Sequence, residues 1–300
     1  MAPEARAAAE GVLVVDKPPG MTSHDVVDEI RRRFGTRKVG HAGTLDPDAT
    51  GVLVCGLGKA TRFLSYAQVV PKRYLACAVF GVTTSTQDAS GRIVEERPVH
   101  VAERDLAALL PRFTGALLQI PPMVSAVRHE GERLHIKARR GEEVDRKPRQ
   151  VHVYILRLAG WRPGALPEAT LDVGCSAGTY VRTLVHDIGA RLGCGAHLKT
   201  LRRTEAGGFT LADAVSLDRV EARHLRPLVE TVRGLRRVEV DETARAMIGH
   251  GRSLPPTLAE AGHGEGMPGD EPVAMVFGGD LLGVYRRRGD LLVPERVVPP

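Results

Sequence analysis

The sequence Val39-Gly40-His41-Ala42-Gly43-Thr44-Leu45-Asp46-Pro47-Asp48-Ala49-Thr50-Gly51-Val52-Leu53 places the carboxylate of Asp46 in a glycine-rich loop. The glycines permit backbone angles and close approaches that a side chain would obstruct. Pro47 fixes its own φ and disfavours the helical region for Asp46. An isolated Asp-Pro pair is most often a turn between two strands, but this pattern is longer than a turn requires. The loop is therefore predicted to present Asp46 rather than to bury it.

The segment Gly40-His41-Ala42-Gly43-Thr44-Leu45-Asp46-Pro47, followed by Ala49-Thr50-Gly51, resembles the catalytic motif of the TruB family of tRNA pseudouridine synthases. Five further blocks match that family in order and approximate spacing. They are Gly11-Val12-Leu13-Val14-Val15-Asp16-Lys17-Pro18-Pro19-Gly20-Met21-Thr22-Ser23, Lys72-Arg73-Tyr74, Ile120-Pro121-Pro122-Met123, Gly178-Thr179-Tyr180-Val181-Arg182 and His197-Leu198-Lys199-Thr200-Leu201-Arg202-Arg203. The chain departs from the family at Val124, where an aromatic residue is usual, at Arg128, where lysine is common, and at His135, where tyrosine is common.

The periodicity of apolar residues predicts an α+β domain with a largely antiparallel sheet, because strands and helices do not alternate regularly. Predicted strands span residues 12–15, 53–57, 74–82, 151–158 and 169–175, and predicted helices span residues 101–113 and 179–192. A further helix is predicted to be capped by Thr22 or Ser23 and to end at Gly35. The resemblance implies the same class, a pseudouridine synthase fold with a mixed, largely antiparallel central sheet.

The chain changes in character near residue 230. Short strands with glycine-containing turns follow, at residues 273–277, 281–286 and 291–298, and these are typical of a small β-rich module resembling a PUA domain. We therefore expect a catalytic domain over residues 11–229 and a PUA-like RNA-binding domain over residues 230–300. We expect residues 1–10 to be disordered and the Pro/Gly-rich stretch 254–272 to be an insertion.

Composition restricts the class of protein. No run approaches the roughly 18 apolar residues that cross a bilayer, and residues 1–10 lack the apolar centre of a signal peptide, so we expect a cytoplasmic protein. The four cysteines are widely spaced with no Cys-x-x-Cys pair, which argues against a zinc site. We expect neither a metal nor a cofactor.

The positive charge of the chain is concentrated where the motifs lie. The net charge is +6, and residues 230–300 hold 9 Lys or Arg against 11 Asp or Glu, so residues 1–229 hold 33 against 25. A basic excess in the motif-bearing part favours a polyanionic partner such as RNA.

The residues alone leave two uses open for Asp46. A carboxylate without metal ligands nearby suits nucleophilic or general-base work, whereas Asp48 or Asp88 would serve as the second acid of a carboxylate-pair hydrolase. The resemblance implies that Asp46 is the single nucleophile that converts the T-loop uridine of tRNA, U55, to pseudouridine. It also implies that the T-loop and the acceptor arm are contacted, and that no obligatory protein partner is needed.

Six other residues are candidates for the same site. An extruded base needs a pocket, and the resemblance implies that Tyr74 stacks on it and assists proton removal from C5. Arg182 falls in the first turn of a predicted helix, where the helix dipole disfavours a cation, so a carboxylate partner such as Asp46 would stabilise it. The residues that the resemblance places in substrate binding are His41 on the loop nucleotides, Tyr180 and Leu201 in the pocket wall, and Lys17 on phosphate or under the catalytic loop.

Two further hypotheses about the function stay open. A non-catalytic RNA-binding or tRNA-folding protein would use the same surfaces. A guide-dependent pseudouridine synthase usually carries extra basic extensions, and this chain has no Lys-rich stretch before Pro300.

Overall fold

The computed structural model describes residues 9–125, 128–129, 132–133, 140, 142, 144–255 and 271–299. The side chains of Arg128 and His135, residues 1–8 of the expected disordered terminus and residues 256–270 of the expected insertion lie outside the described residues.

Five α-helices occur in the described chain. They are α1 (Ser23–Phe34), α2 (Leu64–Val69), α3 (Glu103–Leu109), α4 (Val181–Arg191) and α5 (Glu242–Gly249). Eighteen strands occur in the same residues. They are β1 (Gly11–Lys17), β2 (Val39–His41), β3 (Thr50–Leu57), β4 (Lys72–Phe80), β5 (Val82–Thr84), β6 (Ile93–Glu96), β7 (Gly115–Gln119), β8 (Arg128–His129), β9 (Glu132–Arg133), β10 (Arg149–Arg162), β11 (Glu168–Cys175), β12 (Ala196–Ala206), β13 (Phe209–Thr210), β14 (Val215–Ser216), β15 (Arg236–Glu239), β16 (Val273–Phe277), β17 (Asp280–Arg288) and β18 (Leu291–Val297).

The chain divides into two compact units, one of residues 1–47, 51–70 and 206–300 and the other of residues 48–50 and 71–205. In the first unit β1 runs antiparallel to β3 and parallel to β14. Helix α1 covers one face of these strands, with Val26, Val27 and Ile30 in the core. The predicted boundary near residue 230 lies within this unit and stays a prediction.

The carboxy-terminal part of the first unit is a four-stranded sheet in the order β15-β16-β17-β18. Its β15–β16 pair is parallel and the other pairs are antiparallel. Helix α5 packs on the sheet through Ala244 and Ile248. The β-rich character predicted for this region is confirmed.

The second unit is a sheet in the order β12-β4-β11-β10-β7. Strand β4 pairs antiparallel with β11 on one side and with β12 on the other, as expected for the internal strand predicted there. Strand β12, which the periodicity did not predict, alternates buried and exposed residues irregularly because its register shifts beside Leu198 and Arg203.

Helix ends follow local sequence. The Thr22 hydroxyl caps α1 by accepting a hydrogen bond from the Asp25 backbone N–H. In turn, the Asp25 carboxylate accepts a hydrogen bond from the Thr22 backbone N–H. Gly35 ends the helix with a φ of 61°. The helix predicted over residues 101–113 is α only to Leu109 and becomes a 3-10 turn around Pro111, whose ring cannot continue an α-helix. Among the described residues, no helix combines the length and hydropathy needed to cross a bilayer.

Candidate active site

The peptide before Asp46 is held by a buried hydroxyl. Oγ of Ser23 accepts a hydrogen bond of 2.8 Å from the Leu45 N–H and lies 3.2 Å from the Leu45 carbonyl oxygen, to which it donates. Ser23 is only 2% exposed. Because both polar groups of Leu45 meet one side chain, the backbone entering Asp46 is fixed to the first turn of α1.

The peptide between Pro47 and Asp48 is held by a buried cation. Nζ of Lys17 lies 2.8 Å from the carbonyl oxygens of Pro18 and Pro47 and also donates to the carbonyl of Met21. The Gly20 N–H donates to the same Pro47 oxygen at 3.0 Å. Lys17 is fully buried, so its ammonium supports the loop from beneath.

Asp46 itself is half-buried at the centre of this arrangement. His41 ends β2 opposite Cys55 of β3 and is also half-buried. The first unit therefore holds three predicted site residues, Lys17, His41 and Asp46, on neighbouring parts of one loop system.

Tyr74 lies on β4 with its residue 7% exposed. It is opposite Val173 of β11 and Arg203 of β12, while Leu201 of β12 is opposite Ala76. Directly opposed residues share a face, and so do residues two apart on a strand. Tyr74 and Leu201 are thus on the same face of the sheet.

Two cations lie beside Tyr74 on that face. Arg203 is fully buried and Lys72 is 7% exposed. Burial first, and then the charge of Arg203, lower the pKa of Lys72 to about 8, although Cys175 acts in the opposite direction. The face that carries Tyr74 therefore also carries two buried basic side chains.

Arg182 is the second residue of α4 and is buried, with 5% of its side chain exposed. Its Nη1 lies 2.9 Å from Oδ2 of Asp88, and its Nη2 donates to the carbonyl of Val124 at 2.7 Å. Asp88 is therefore a carboxylate partner of this cation. Pairing of Arg182 with Asp46 stays a prediction.

Asp88 is presented by a turn rich in hydroxyl groups. Its Oδ1 accepts hydrogen bonds of 2.6 Å from the side chains of both Thr86 and Ser90, and one of 3.1 Å from the Ser90 N–H. Burial acts to raise the pKa of Asp88, but these bonds and the charge of Arg182 outweigh burial and lower it. Asp88 therefore carries its negative charge at neutral pH.

Tyr180 is fixed through its backbone at the start of α4. The Tyr180 N–H donates to Oε1 of Gln119 at 2.8 Å, and Nε2 of Gln119 donates to the Tyr180 carbonyl at 3.0 Å. Gln119 is 4% exposed. The Arg182 guanidinium lies 5.9 Å from the centroid of the Tyr180 ring, so the two predicted residues are neighbours.

Family models match the chain in two consecutive stretches. The TruB family pseudouridylate synthase N-terminal domain matches residues 31–181, and the tRNA pseudouridylate synthase B C-terminal domain matches residues 182–238. The chain belongs to the TruB family. Its membership confirms the resemblance drawn from the six sequence blocks.

Several relatives in the TruB family share more than 40% of their residues with this chain over most of its length. The tRNA pseudouridine synthase B of Symbiobacterium thermophilum is 48% identical over 83% of this chain and 84% of that protein. That of Thiobacillus denitrificans is 41% identical over 98% of this chain and 97% of that protein. A solved Cbf5-Nop10-Gar1 complex contains a chain with a TM-score of 0.77 and 28% identity, over 99% of this chain and 89% of that chain. The expected α+β pseudouridine synthase fold, with its small β-rich carboxy-terminal part, is confirmed.

The TruB-family motifs do not reveal every residue that holds this site. The sequence predicts Asp88 only as a second acid, and no motif in it singles out Gln119. The cluster of small polar residues around Asp88 is a turn signal, but the partner of that turn lies 94 residues away at Arg182. Among the described residues there is no cluster of three or more His, Cys, Asp or Glu side chains that could hold a metal ion.

Proposed function

We propose that this TruB-family protein converts the T-loop uridine of tRNA, U55, to pseudouridine, with Asp46 as the nucleophile. The observation that carries the proposal is the fixed loop around Asp46, whose neighbouring peptides are held by Ser23 and Lys17. Such fixation favours a group that must meet a reacting atom in one geometry. The names of the relatives support the choice of tRNA as substrate.

The proposed reaction is an isomerisation and needs no net oxidant or co-reactant. The bond between N1 of uracil and C1′ of the ribose breaks with participation of the Asp46 carboxylate. The detached base rotates and a bond forms between C5 and C1′, after which the C5 proton leaves and N1 gains a proton. Asp46 acts at C6, at C1′ or through a proton of the sugar, and each route restores the carboxylate at the end.

Tyr74 and Leu201 are proposed to hold the base while it is detached. Their common face on the sheet supports a stacking platform with an apolar wall. Tyr74 would also assist removal of the C5 proton. Tyr180 would close the pocket, supported by the two hydrogen bonds that Gln119 makes to its backbone.

Arg182 is proposed to pair with the Asp46 carboxylate and keep it ionised and oriented. Its ion pair with Asp88 supports this role, because a guanidinium has donors for more than one partner. His41 is proposed to contact the displaced loop nucleotides. For Lys17, full burial favours support of the catalytic loop over contact with phosphate.

The carboxy-terminal residues 230–300 are proposed to form a PUA-like domain that contacts the acceptor arm, while residues 11–229 carry the chemistry. We propose that the protein acts in the cytoplasm without an obligatory protein partner.

The deciding experiment is conversion of an unmodified tRNA transcript, with mapping of the modified position and no added cofactor or guide RNA. Wild type should form pseudouridine at the T-loop uridine. Asp46→Asn should lose conversion by at least about a thousandfold while still binding RNA. Asp48→Asn, which removes an exposed acid two residues away, should convert the RNA and so exclude a carboxylate-pair hydrolase that uses Asp48.

Binding of tRNA by the wild type without conversion would contradict the proposal. A tRNA-folding protein or a guide-dependent synthase would then fit better, and adding a guide RNA would separate those two.

A further inference from the structure

Gln87 has a backbone conformation that is unusual for its residue type. Its φ is 65°, and among the described residues every other positive φ belongs to a glycine. The left-handed region is uncommon for residues other than glycine, asparagine and aspartate. Glycine would adopt it without strain, so a glutamine at this position lowers stability unless its side chain compensates.

Strand β12 holds this conformation in place. The Leu198 N–H donates to the Gln87 carbonyl at 3.0 Å, and the Ala89 N–H donates to the Leu198 carbonyl at 2.9 Å. The Gln87 N–H is also used, since it donates to the Thr84 carbonyl at 3.1 Å. Strained residues persist where the surrounding structure fixes them on several sides. The three bonds therefore fix the direction in which the chain continues from Gln87 into Asp88.

The Gln87 side chain reaches the first turn of α4. Its Oε1 accepts a hydrogen bond of 2.7 Å from the hydroxyl of Thr183, which is only 3% exposed. The next residue, Asp88, pairs with Arg182 at 2.9 Å. Two consecutive residues of the turn thus hold two consecutive residues of the helix. Two attachment points prevent the start of α4 from pivoting about the ion pair, which a single point would allow.

We propose that Gln87 is a positioning residue that holds Arg182 in its working direction, acting through Asp88 and Thr183. The inference rests on the proposed function, in which Arg182 orients the Asp46 carboxylate. Catalytic groups lose much of their effect when they are displaced by about 1 Å. Backbone strain clusters at active sites because accurate placement there outweighs its cost in stability. Gln87 fits this pattern, because its backbone is strained and its side chain meets the helix that carries Arg182.

The first experiment compares Gln87→Gly with Gln87→Ala in conversion of an unmodified tRNA transcript. Both variants remove the amide, but only glycine also relieves the backbone strain, so Gln87→Gly should melt at a higher temperature than Gln87→Ala. Both should lower the single-turnover rate at saturating tRNA by about tenfold and keep the dissociation constant for tRNA within about twofold. An equal rate loss in two variants of unequal stability is caused by the missing amide.

Ala89→Gly is the matched control for that comparison. It adds backbone freedom on the other side of Asp88, from an exposed position, and removes no polar side chain. It should convert tRNA within about twofold of the wild-type rate, because the bond between Gln87 and Thr183 is intact.

The second experiment changes the partner of the amide. Thr183→Val keeps the shape of the side chain without the hydroxyl, whereas Thr183→Ser keeps the hydroxyl. Thr183→Val should lower the single-turnover rate by about tenfold, and Thr183→Ser should stay within about threefold of wild type. Thr183→Val combined with Gln87→Ala should lose no more than either single variant, because both changes break the same bond.

A third measurement follows Arg182 without requiring turnover. Its side chain is 5% exposed, so its Nε–H should exchange slowly and give a signal in a proton–nitrogen correlation spectrum, assigned by its absence from Arg182→Lys. In Gln87→Gly and Thr183→Val this signal should shift or broaden. In Ala89→Gly and Thr183→Ser it should stay at the wild-type position.

Different results decide the two proposals. If wild type forms pseudouridine and the variants of Gln87 and Thr183 do so at the wild-type rate, the positioning role is wrong and the proposed function stands. A rate loss that follows the melting temperature across all variants also contradicts the positioning role, because it reports general destabilisation. If wild type forms no pseudouridine, the proposed function is wrong, and the Arg182 signal still decides whether Gln87 positions the guanidinium. An unchanged signal in Gln87→Gly would refute that role.

Discussion

Arg182 and Asp88 form a buried ion pair, with Nη1 of the arginine 2.9 Å from Oδ2 of the aspartate. Only 5% of the arginine side chain and 18% of the aspartate side chain are exposed. The arginine begins a helix, where the dipole disfavours a cation, and the aspartate belongs to a turn 94 residues away. The pair therefore joins the start of α4 to the turn before β6 and fixes the direction of the guanidinium.

Replacing Asp88 by Asn should cost both stability and activity. Loss of one partner of a buried pair leaves the other charge uncompensated, so the free energy of unfolding should fall by about 3 kcal/mol. Asp172→Asn is the control, because its partner Arg73 is 39% exposed and such a pair contributes about 1 kcal/mol or less. Denaturant unfolding and single-turnover conversion of tRNA give the two values. Equal losses in the two variants would contradict the assigned role of Asp88.

The same pair predicts a dependence of stability on acid. The folded-state pKa of Asp88 is lowered, so its contribution is fully present above the unfolded pKa of about 4 and is lost as pH falls through the lower folded value. The difference in unfolding free energy between wild type and Asp88→Asn should therefore shrink below pH about 4. If the difference in unfolding free energy between the two proteins stayed constant from pH 6 to pH 3, the ionised Asp88 would not be what stabilises the wild type.

Ser23→Ala should impair catalysis more than its neighbour Thr22→Ala. Loss of the Ser23 hydroxyl removes both hydrogen bonds to Leu45, so unfolding should become easier by about 1–3 kcal/mol. The loosened loop should lower the rate of the chemical step by roughly 10- to 100-fold. Thr22→Ala removes only the cap of α1, at about 1 kcal/mol, and should leave that rate nearly unchanged. A similar loss of rate in both variants would refute the positioning role.

Because Lys72 is buried, the folded protein should become more stable as the pH rises into the alkaline range. Its pKa is about 8 in the folded protein against an ordinary lysine pKa of 10.5, so the unfolded chain binds more protons between those values and stability rises with pH there. Relative to Lys72→Arg, which stays protonated, wild type should gain roughly 3 kcal/mol in unfolding free energy between pH 8 and 10.5. Chemical denaturation at several pH values measures this gain, and parallel curves would contradict it.

Gly189→Ala should destabilise a helix that alanine would ordinarily favour. An added Cβ would lie 2.3 Å from the backbone nitrogen of Ala196 and 2.5 Å from the backbone carbon of Gly195. Overpacking of this kind costs about 1–3 kcal/mol or more. Gly249→Ala, at the end of α5 with open space around the new methyl group, should be neutral or stabilising by up to about 1 kcal/mol. Thermal unfolding of both variants tests the contrast in sign.

Local features of the site could be predicted from sequence because their partners are close in the chain. The capping box of Thr22 and Asp25, the end of α1 at Gly35 and the first-turn position of Arg182 all follow from residues within a few positions. The strand β4 and its internal position followed from a continuous apolar run. The TruB resemblance followed from ordered motifs, which do not depend on knowing any contact.

Other features depended on strand pairing, which periodicity does not specify. Lys17 was expected on phosphate or under the loop, and full burial on three carbonyl oxygens became visible only once Pro47, 30 residues away, was placed beside it. Gln119 meets Tyr180 across 61 residues. Strand β12 could not be predicted from apolar periodicity because register shifts interrupt the alternation of buried and exposed residues along it.

The sequence by itself thus determined the family, the α+β class, the loop that carries Asp46 and most helix ends, because short-range sterics and hydrogen bonding fix them. The tertiary structure alone decided that Asp88 neutralises Arg182 and that Ser23 and Lys17 hold the loop. These depend on long-range packing, in which a polar side chain is buried only where a distant residue satisfies its hydrogen bonds.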